Sequence, residues 1–202
     1  AKVLDPACGA GILLTAVSIV ACGPDRLLAS EWLRESVYAA DLSPLALRGT
    51  RLSLASLTDD LDAIATMHAH WRAQDSLLAP DSTWLELSKD GYDVVIANPP
   101  WEKVKLTRHE YAKANGETRD YGASYRLQSL AGYEEAKTER AAMAGSLIER
   151  YPVLAKGEPD LYVAFTELLY KLTRVGGHGA LLVPAGLIRS LSTETLRRAL
   201  VE

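Results

Sequence analysis

Four short apolar runs, each closed by a carboxylate or amide side chain, constrain this chain more than any other feature. Lys2 to Asp5, Val37 to Asp41, a weaker stretch around His70 to Gln74 ending at Asp75, and Tyr92 to Ala97 closed by Asn98 read as strands. Runs rich in apolar and β-branched residues suit strands buried on both faces, as in parallel sheets. Helix signals lie between them. Ile12 to Ala21 is almost wholly apolar, and Ser43 with Pro44 supplies an N-cap and first helical position for a helix running towards Leu57. A later helix is expected from Asp160 to about Arg174, and a fifth strand at Ala180 to Val183 after Gly176 and Gly177. Strands alternating with helices predict an α/β fold, a doubly wound and mainly parallel sheet covered on both faces. In such a sheet Asp5, Asp41, Asp75 and Asn98 converge on the crevice at the carboxyl edge.

At 202 residues, 48% hydrophobic and 24% charged, the chain is long enough for one domain with a sizeable core. No run of eighteen apolar residues and no signal-peptide pattern points to membrane insertion or export. Cys8 and Cys22 stand alone without CxxC spacing, which argues for a reducing cytoplasm and for two buried fillers. A net charge of −4 gives no global footprint of a nucleic-acid binder, so any such contact is local or lies elsewhere. The chain starts without methionine inside a strand and stops in helical sequence, so an incomplete fold cut from a longer protein is expected.

The strand ends carry the chemistry. LDPACGAG, Leu4 to Gly11, is a glycine turn opening a helix, where a ligand can approach the backbone and unpaired N–H groups can meet a carboxylate or phosphate. A dinucleotide fingerprint needs a third glycine where Leu14 stands, which disfavours nicotinamide and flavin cofactors. Asp41 in VYAADLSP can hold two ribose hydroxyls, and Asp75 in WRAQDSLL can accept from an exocyclic amine; either could instead be a helix cap. In ANPPW, Asn98 ends the strand, Pro99 and Pro100 fix the backbone and cannot continue a ladder, and Trp101 offers a flat, half-polar surface. His68, His70 and His109 lack a credible third ligand, so no metal is expected, and neither a P-loop nor a GxSxG elbow is present.

Residues 102–156 break the strand–helix rhythm. A βα connection usually takes roughly 2–6 residues, so this insert is expected to be a lid or small helical subdomain. Its first half mixes Lys103, Lys105, Arg108, Lys113, Arg119 and Arg126 with Tyr111, Tyr121 and Tyr125, suited to phosphates and exposed bases. The interleaved Glu102, Glu110, Glu117 and Asp120 fit a solvated helical face equally well.

Taken together, DPACGAG, ADLSP, AQDSLL and NPPW, followed by KGEPDLYVAFTELLYKL and GGHGALLVPAGLI, resemble in order the motifs of gamma-class adenine-N6 DNA methyltransferases of type I, type IIG and phage-defence systems. The resemblance covers nearly the whole chain and implies a partial catalytic domain of the Rossmann-like methyltransferase fold over residues 1–202. It implies S-adenosylmethionine as donor, held by Asp5, Pro6, Ala7, Cys8, Gly9 and Gly11, by Asp41 and Leu42, and by Asp75 and Ser76. Catalysis would rest on Asn98, Pro99, Pro100 and Trp101, which would trap and stack an adenine flipped out of DNA. The expected partners are DNA and a specificity or nuclease subunit or domain outside this stretch. NPPW also fits methyltransferases acting on RNA bases or protein glutamine, and a noncatalytic DNA-bound scaffold is the reading from another class.

Overall fold

A computed structural model of the chain describes residues 1–104, 108–115, 131–156 and 160–201. It divides into two compact units, residues 1–100 with 165–185, and residues 101–164 with 186–202. The first holds a five-stranded sheet, every strand parallel to its neighbours: β1 (Val3–Asp5), β2 (Val37–Asp41), β3 (Trp71–Ala73), β4 (Tyr92–Ala97) and β5 (Thr173–Leu181). Their spatial order is β3-β2-β1-β4-β5. The chain winds outwards from β1 in one direction, then β4 returns to the other side of β1, creating a switch point between β1 and β4.

Alternation along the strands explains the sheet's two buried faces. Val3, Val37, Ala39, Trp71 and Ile96 form one core with Leu14 of α1 (Ile12–Cys22), Leu33 of α2 (Arg26–Glu35) and Leu54 of α3 (Pro44–Ala55). Leu4, Tyr38, Ala40, Val95 and Ala97, one residue out of phase, are buried on the other face. Each fully buried leucine contributes about 1.5–3 kcal/mol of transfer free energy. Ser43 caps α3 by accepting from the Ala46 N–H at 3.3 Å, with Pro44 at the first helical position, as the sequence predicts.

Two elements depart from expectation. The fifth strand begins at Thr173, immediately after α8 (Leu161–Leu172), so Gly176 and Gly177 lie inside it. Among the described residues β5 is an edge strand, and its register skips between Tyr92↔Thr173 and Val94↔His178, a bulge that takes up the extra residues. Gly176 there has φ +75°, and a Cβ on Gly177 would lie 3.0 Å from the Asp93 carbonyl, so the glycines serve a bulge and close approach inside the strand that was expected to begin after them. Around His70, residues Met67–His70 form a 3₁₀ turn and the strand shortens to three residues. Three helices were not anticipated: α2, capped by Asp25 through the Leu27 and Leu28 N–H groups, α4 (Leu61–Thr66), capped by Asp60, and α5 (Asp81–Leu87).

The second unit is helical in its described parts: α6 (Arg108–Ala114), α7 (Tyr133–Arg150), a 3₁₀ turn Pro152–Lys156, α9 (Gly186–Arg189) and α10 (Glu194–Val201). Lys103 pairs with Asp160 in an antiparallel bridge and the Leu161 N–H donates to the Glu102 carbonyl at 3.0 Å. The long insert therefore leaves and rejoins the chain at a closed neck. No helix among the described residues is long and apolar enough to cross a membrane.

Candidate active site

The turn after β1 is held from beneath by its own first residue. Asp5, only 1% exposed, accepts the Ala7 N–H at 3.0 Å, and burial pushes its carboxyl up to about 7, against the Ala7 hydrogen bond and aided by the charge of Asp41. Gly9 and Gly11 take φ values of +54° and +78°. The two glycines differ in what surrounds them. A Cβ on Gly11 would stand 2.8 Å from Thr50 Cγ2 and 2.9 Å from Thr50 Cα, whereas no atom of the described residues lies within 4 Å of a Cβ on Gly9. Gly11 serves packing, and Gly9 leaves open space beside the loop. At the N-terminus of α1 no side chain among the described residues caps the helix and no acid occupies the first turn, so its first N–H groups have no side-chain acceptor there.

The register of the sheet relates the other strand ends to this loop. Asp5 is level with Ala39 on β2, and Leu4 with Val95 on β4. Counting on by residue, Asp41 and Asn98 both stand two positions beyond Asp5, on the two strands that flank β1. At about 4.8 Å per strand, their backbones stand about 10 Å apart across the mouth of the loop. Asp41 Oδ2 accepts the Gly9 N–H at 2.9 Å and Oδ1 the Ser43 N–H at 2.8 Å. A carboxylate has about four acceptor sites, so Asp41 braces the loop and retains capacity for two hydroxyl donors.

Asp75 acts as a cap in part: Oδ1 accepts the Leu77 and Leu78 N–H groups at 2.9 and 3.2 Å, leaving Oδ2 without a donor among the described residues. Ser76 is buried and its hydroxyl donates to the Pro6 carbonyl, tying the end of β3 to the β1 loop. Cys8 is buried too, with Sγ 3.4 Å from Thr50 Oγ1, and burial pushes its thiol up to about 12. Of the donor-site candidates, then, Asp5, Pro6, Cys8, Gly11 and Ser76 lie within the structure, Ala7, Gly9, Asp41 and Asp75 are partly exposed, and Leu42 is 72% exposed.

After β4, Asn98 and Pro100 are exposed, Pro99 is buried and Trp101 is half exposed. Among the described residues neither the Asn98 amide nor the Pro99 carbonyl has a hydrogen-bond partner. Two acceptors on successive residues, set on a backbone that prolines stiffen, are thus unspent. In the insert, Tyr111 packs edge-on to Tyr133 at 5.5 Å and its hydroxyl donates to the Ala131 carbonyl at 2.6 Å, so that ring serves packing. Lys103 and Lys113 are exposed and Arg108 begins α6; Lys105, Glu117, Arg119, Asp120, Tyr121, Tyr125 and Arg126 lie outside the described residues.

Sequence reading passes over two residues that touch the loop. Thr50 Oγ1 donates to the Gly9 carbonyl at 2.9 Å and Ser53 Oγ to the Ala10 carbonyl at 2.8 Å. The available signal was a helix face carrying Gly49, Thr50 and Ser53, small or hydroxyl-bearing residues at helical spacing in the helix that follows Asp41.

All of the chain, residues 1–202, matches a family model described as N-6 DNA methylase. No curated protein sequence matches it. Among solved structures it superposes, with a TM-score of 0.55 and 20% identity, on a modification subunit of a proposed type I restriction enzyme from Vibrio vulnificus YJ016, covering 100% of this chain and 34% of that one. It also superposes on the cryo-electron-microscopy structure of a DrdV–DNA complex, with a TM-score of 0.57 and 17% identity, covering 98% of this chain and 19% of that one. At these identities the likeness is one of fold, and this chain spans about a third of one protein's length and about a fifth of the other's.

Proposed function

The chain belongs to the N-6 DNA methylase family, and on that footing we propose that the protein carrying it transfers a methyl group from S-adenosylmethionine to the N6 amine of adenine in DNA. The observation that carries this reading is the pairing, at one level on either side of β1, of a braced carboxylate, Asp41, with an exposed amide, Asn98, that has no hydrogen-bond partner among the described residues. One side suits a nucleoside's ribose and the other a planar exocyclic amine.

The residues present fit the donor. Gly9 has an open side where a side chain would intrude, Asp41 has acceptor capacity for two ribose hydroxyls, Asp75 Oδ2 is open to an adenine amine, and exposed Leu42 offers an apolar face. Asp5, Cys8 and Ser76 would act one layer beneath, by holding the loop's shape and setting its field. When bound, the donor supplies an electrophilic methyl group on a sulfonium whose departure leaves a neutral thioether.

An exocyclic adenine amine is a weak nucleophile because its lone pair is delocalised into the ring. Asn98 Oδ1 and the Pro99 carbonyl would accept its two hydrogens, favouring a pyramidal nitrogen whose lone pair faces the methyl group. Asn98 is a positioned dipole here and not a base, since the neutral amide takes no proton; the surplus proton leaves the methylated amine after transfer. Prolines on the carbonyl side remove the freedom that would blur this geometry, so the rate would come from positioning and preorganised dipoles. Trp101 would stack on the extruded base. Residues 102–156 would serve as a lid or small subdomain, and a specificity or nuclease component would belong to the rest of a restriction or phage-defence assembly in the cytoplasm.

The test is transfer of labelled methyl by the whole protein, offered unmodified duplex DNA, RNA and a protein extract in parallel. Label recovered as N6-methyladenine in DNA, lost in Asn98→Ala while donor binding persists, is the expected result. Label confined to RNA or protein would move the substrate, and full turnover by Asn98→Ala would overturn the proposed trap.

A further inference from the structure

The loop between β1 and α1 is gripped along one side by α3, and the grip uses hydroxyls rather than packing alone. Thr50, fully buried, donates to the Gly9 carbonyl at 2.9 Å, and Ser53, one turn on, donates to the Ala10 carbonyl at 2.8 Å. Thr50 also presents its Oγ1 to Cys8 Sγ at 3.4 Å and fills the space that a Gly11 side chain would need. On the same helix face Gly49 lies against Ala10, where a Cβ would stand 3.4 Å from Ala10 Cα, in ordinary contact.

A trans peptide directs its C=O and N–H in opposite senses. With the Gly9 carbonyl turned onto Thr50, the Ala10 N–H must point away from α3, and among the described residues it has no acceptor. The neighbouring N–H groups are spent: that of Gly9 on Asp41, and that of Gly11 on the Cys8 carbonyl at 2.8 Å. Two residues thus set one free donor. α3 also begins straight after Asp41, so the element that follows the ribose carboxylate orients the loop proposed to meet the donor's other end.

We propose that Thr50, assisted by Ser53, is a positioning residue for donor binding: its hydroxyl fixes the Gly9–Ala10 peptide so that the Ala10 N–H is presented to the donor's carboxylate. The inference rests on the site being a donor site, and it assigns to α3 a role that the loop's own glycines do not perform. Thr50 touches no donor atom and acts through the loop.

Two substitutions separate this role from simple packing. Thr50→Val keeps the methyl group against Gly11 and removes the hydroxyl; Thr50→Ser keeps the hydroxyl and removes the methyl. Measured in the whole protein by S-adenosylmethionine titration, Thr50→Val should weaken donor binding about tenfold, the scale of one buried hydrogen bond, with kcat at saturating donor nearly unchanged. Thr50→Ser should bind the donor as the parent does even though its Tm falls, and Ser53→Ala should weaken binding in the same direction as Thr50→Val. Equal donor affinity in the parent and in a folded Thr50→Val overturns the inference and leaves the donor site standing. Equal losses in the Val and Ser variants overturn it too, because affinity would then follow packing. A parent protein that binds no donor overturns the reading of the site, and this inference with it.

Discussion

Asp5→Asn should flatten the pH dependence of folding stability, and by an amount that follows from where Asp5 lies. The side chain is 1% exposed at the end of the central β1, and its carboxyl titrates near 7 in place of 3.8, chiefly because burial disfavours the charged form. An acid whose folded value exceeds its unfolded value binds more protons in the native state, so stability is greatest below about 3.8 and falls as pH climbs towards 7. At roughly 1.4 kcal/mol for each tenfold in proton affinity, the whole window corresponds to about 4 kcal/mol, and the part between pH 5 and 8 to about 3 kcal/mol. The parent's profile alone would not isolate this. His70, whose value is lowered chiefly by burial, gains stability as pH rises through its ordinary value, opposing Asp5 in the same range. Asp93, lowered by the Lys2 N–H and Arg174, lends stability that is lost only as pH falls through and below the carboxylate range. The difference between parent and Asp5→Asn removes both, because an asparagine Oδ1 can still accept the Ala7 N–H. Urea unfolding at fixed ionic strength, followed by tryptophan fluorescence with Trp71 buried in the core, should show the parent losing about 3 kcal/mol relative to the variant from pH 5 to 8. Profiles that stay parallel across that range would refute the assignment of a buried Asp5 that holds its proton to about pH 7.

The two loop glycines should respond differently to alanine: Gly11→Ala, strained at φ +78° and clashing with Thr50, should lose about 3 kcal/mol of stability, while Gly9→Ala should lose about 1 kcal/mol by urea unfolding but bind the donor poorly. A Gly11→Ala as stable as the parent would contradict the packing described. Cys8 should resist iodoacetamide at pH 8 in the folded protein, its thiol being buried and pushed up to about 12, and should react on unfolding; peptide mapping that finds it alkylated at the rate of a free thiol would be the contrary outcome. Trp101→Phe should retain most transfer and Trp101→Ala should raise the KM for DNA about tenfold or more, the scale of one lost stacking contact; an unchanged KM in the alanine variant would remove Trp101 from base binding.

The sequence was most informative where a residue's local chemistry is also its structural job. Val37 to Asp41 and Tyr92 to Ala97 are strands with the expected ends because short apolar runs bounded by polar or proline residues have few alternatives in a buried sheet. Ser43 and Pro44 announce α3 through a cap that depends on neighbours only three residues away. Legibility fell where the decisive partner is distant. β5 reads as beginning after its glycines only if the bulge against Asp93, some eighty residues earlier, is not known. α2 hides because its cap, Asp25, follows a glycine and a proline that suggest a loop, while its apolar residues are mixed with charges. Thr50 and Ser53 are ordinary helix residues until the loop they grip is brought against them from forty residues away.

The level pairing of Asp41 and Asn98 could not be read from either motif, because it depends on strand order and register together. Each motif says only that a polar residue ends a strand. Placing β2 and β4 on opposite sides of β1, with both registers anchored to Leu4, turns those two facts into a distance: two strand spacings, about 10 Å between backbones, spanned by the glycine loop. A slip of one residue in either pairing would carry Asp41 or Asn98 to the opposite sheet face and break the arrangement even with every motif intact. The Gly9 N–H to Asp41 Oδ2 bond opposes such a slip on the β2 side, and the Ser76 tie to Pro6 holds the end of β3 against the same loop. On the β4 side the Val94 N–H donates to the Lys2 carbonyl at 3.1 Å, and the Leu182 N–H to the Ala97 carbonyl at 3.0 Å, holding the strand at both ends. Side chains thus hold the loop to the β2 and β3 side while backbone bonds hold β4, and under the proposed function buried residues such as Ser76 and Thr50 would support the site that the exposed amide of Asn98 completes.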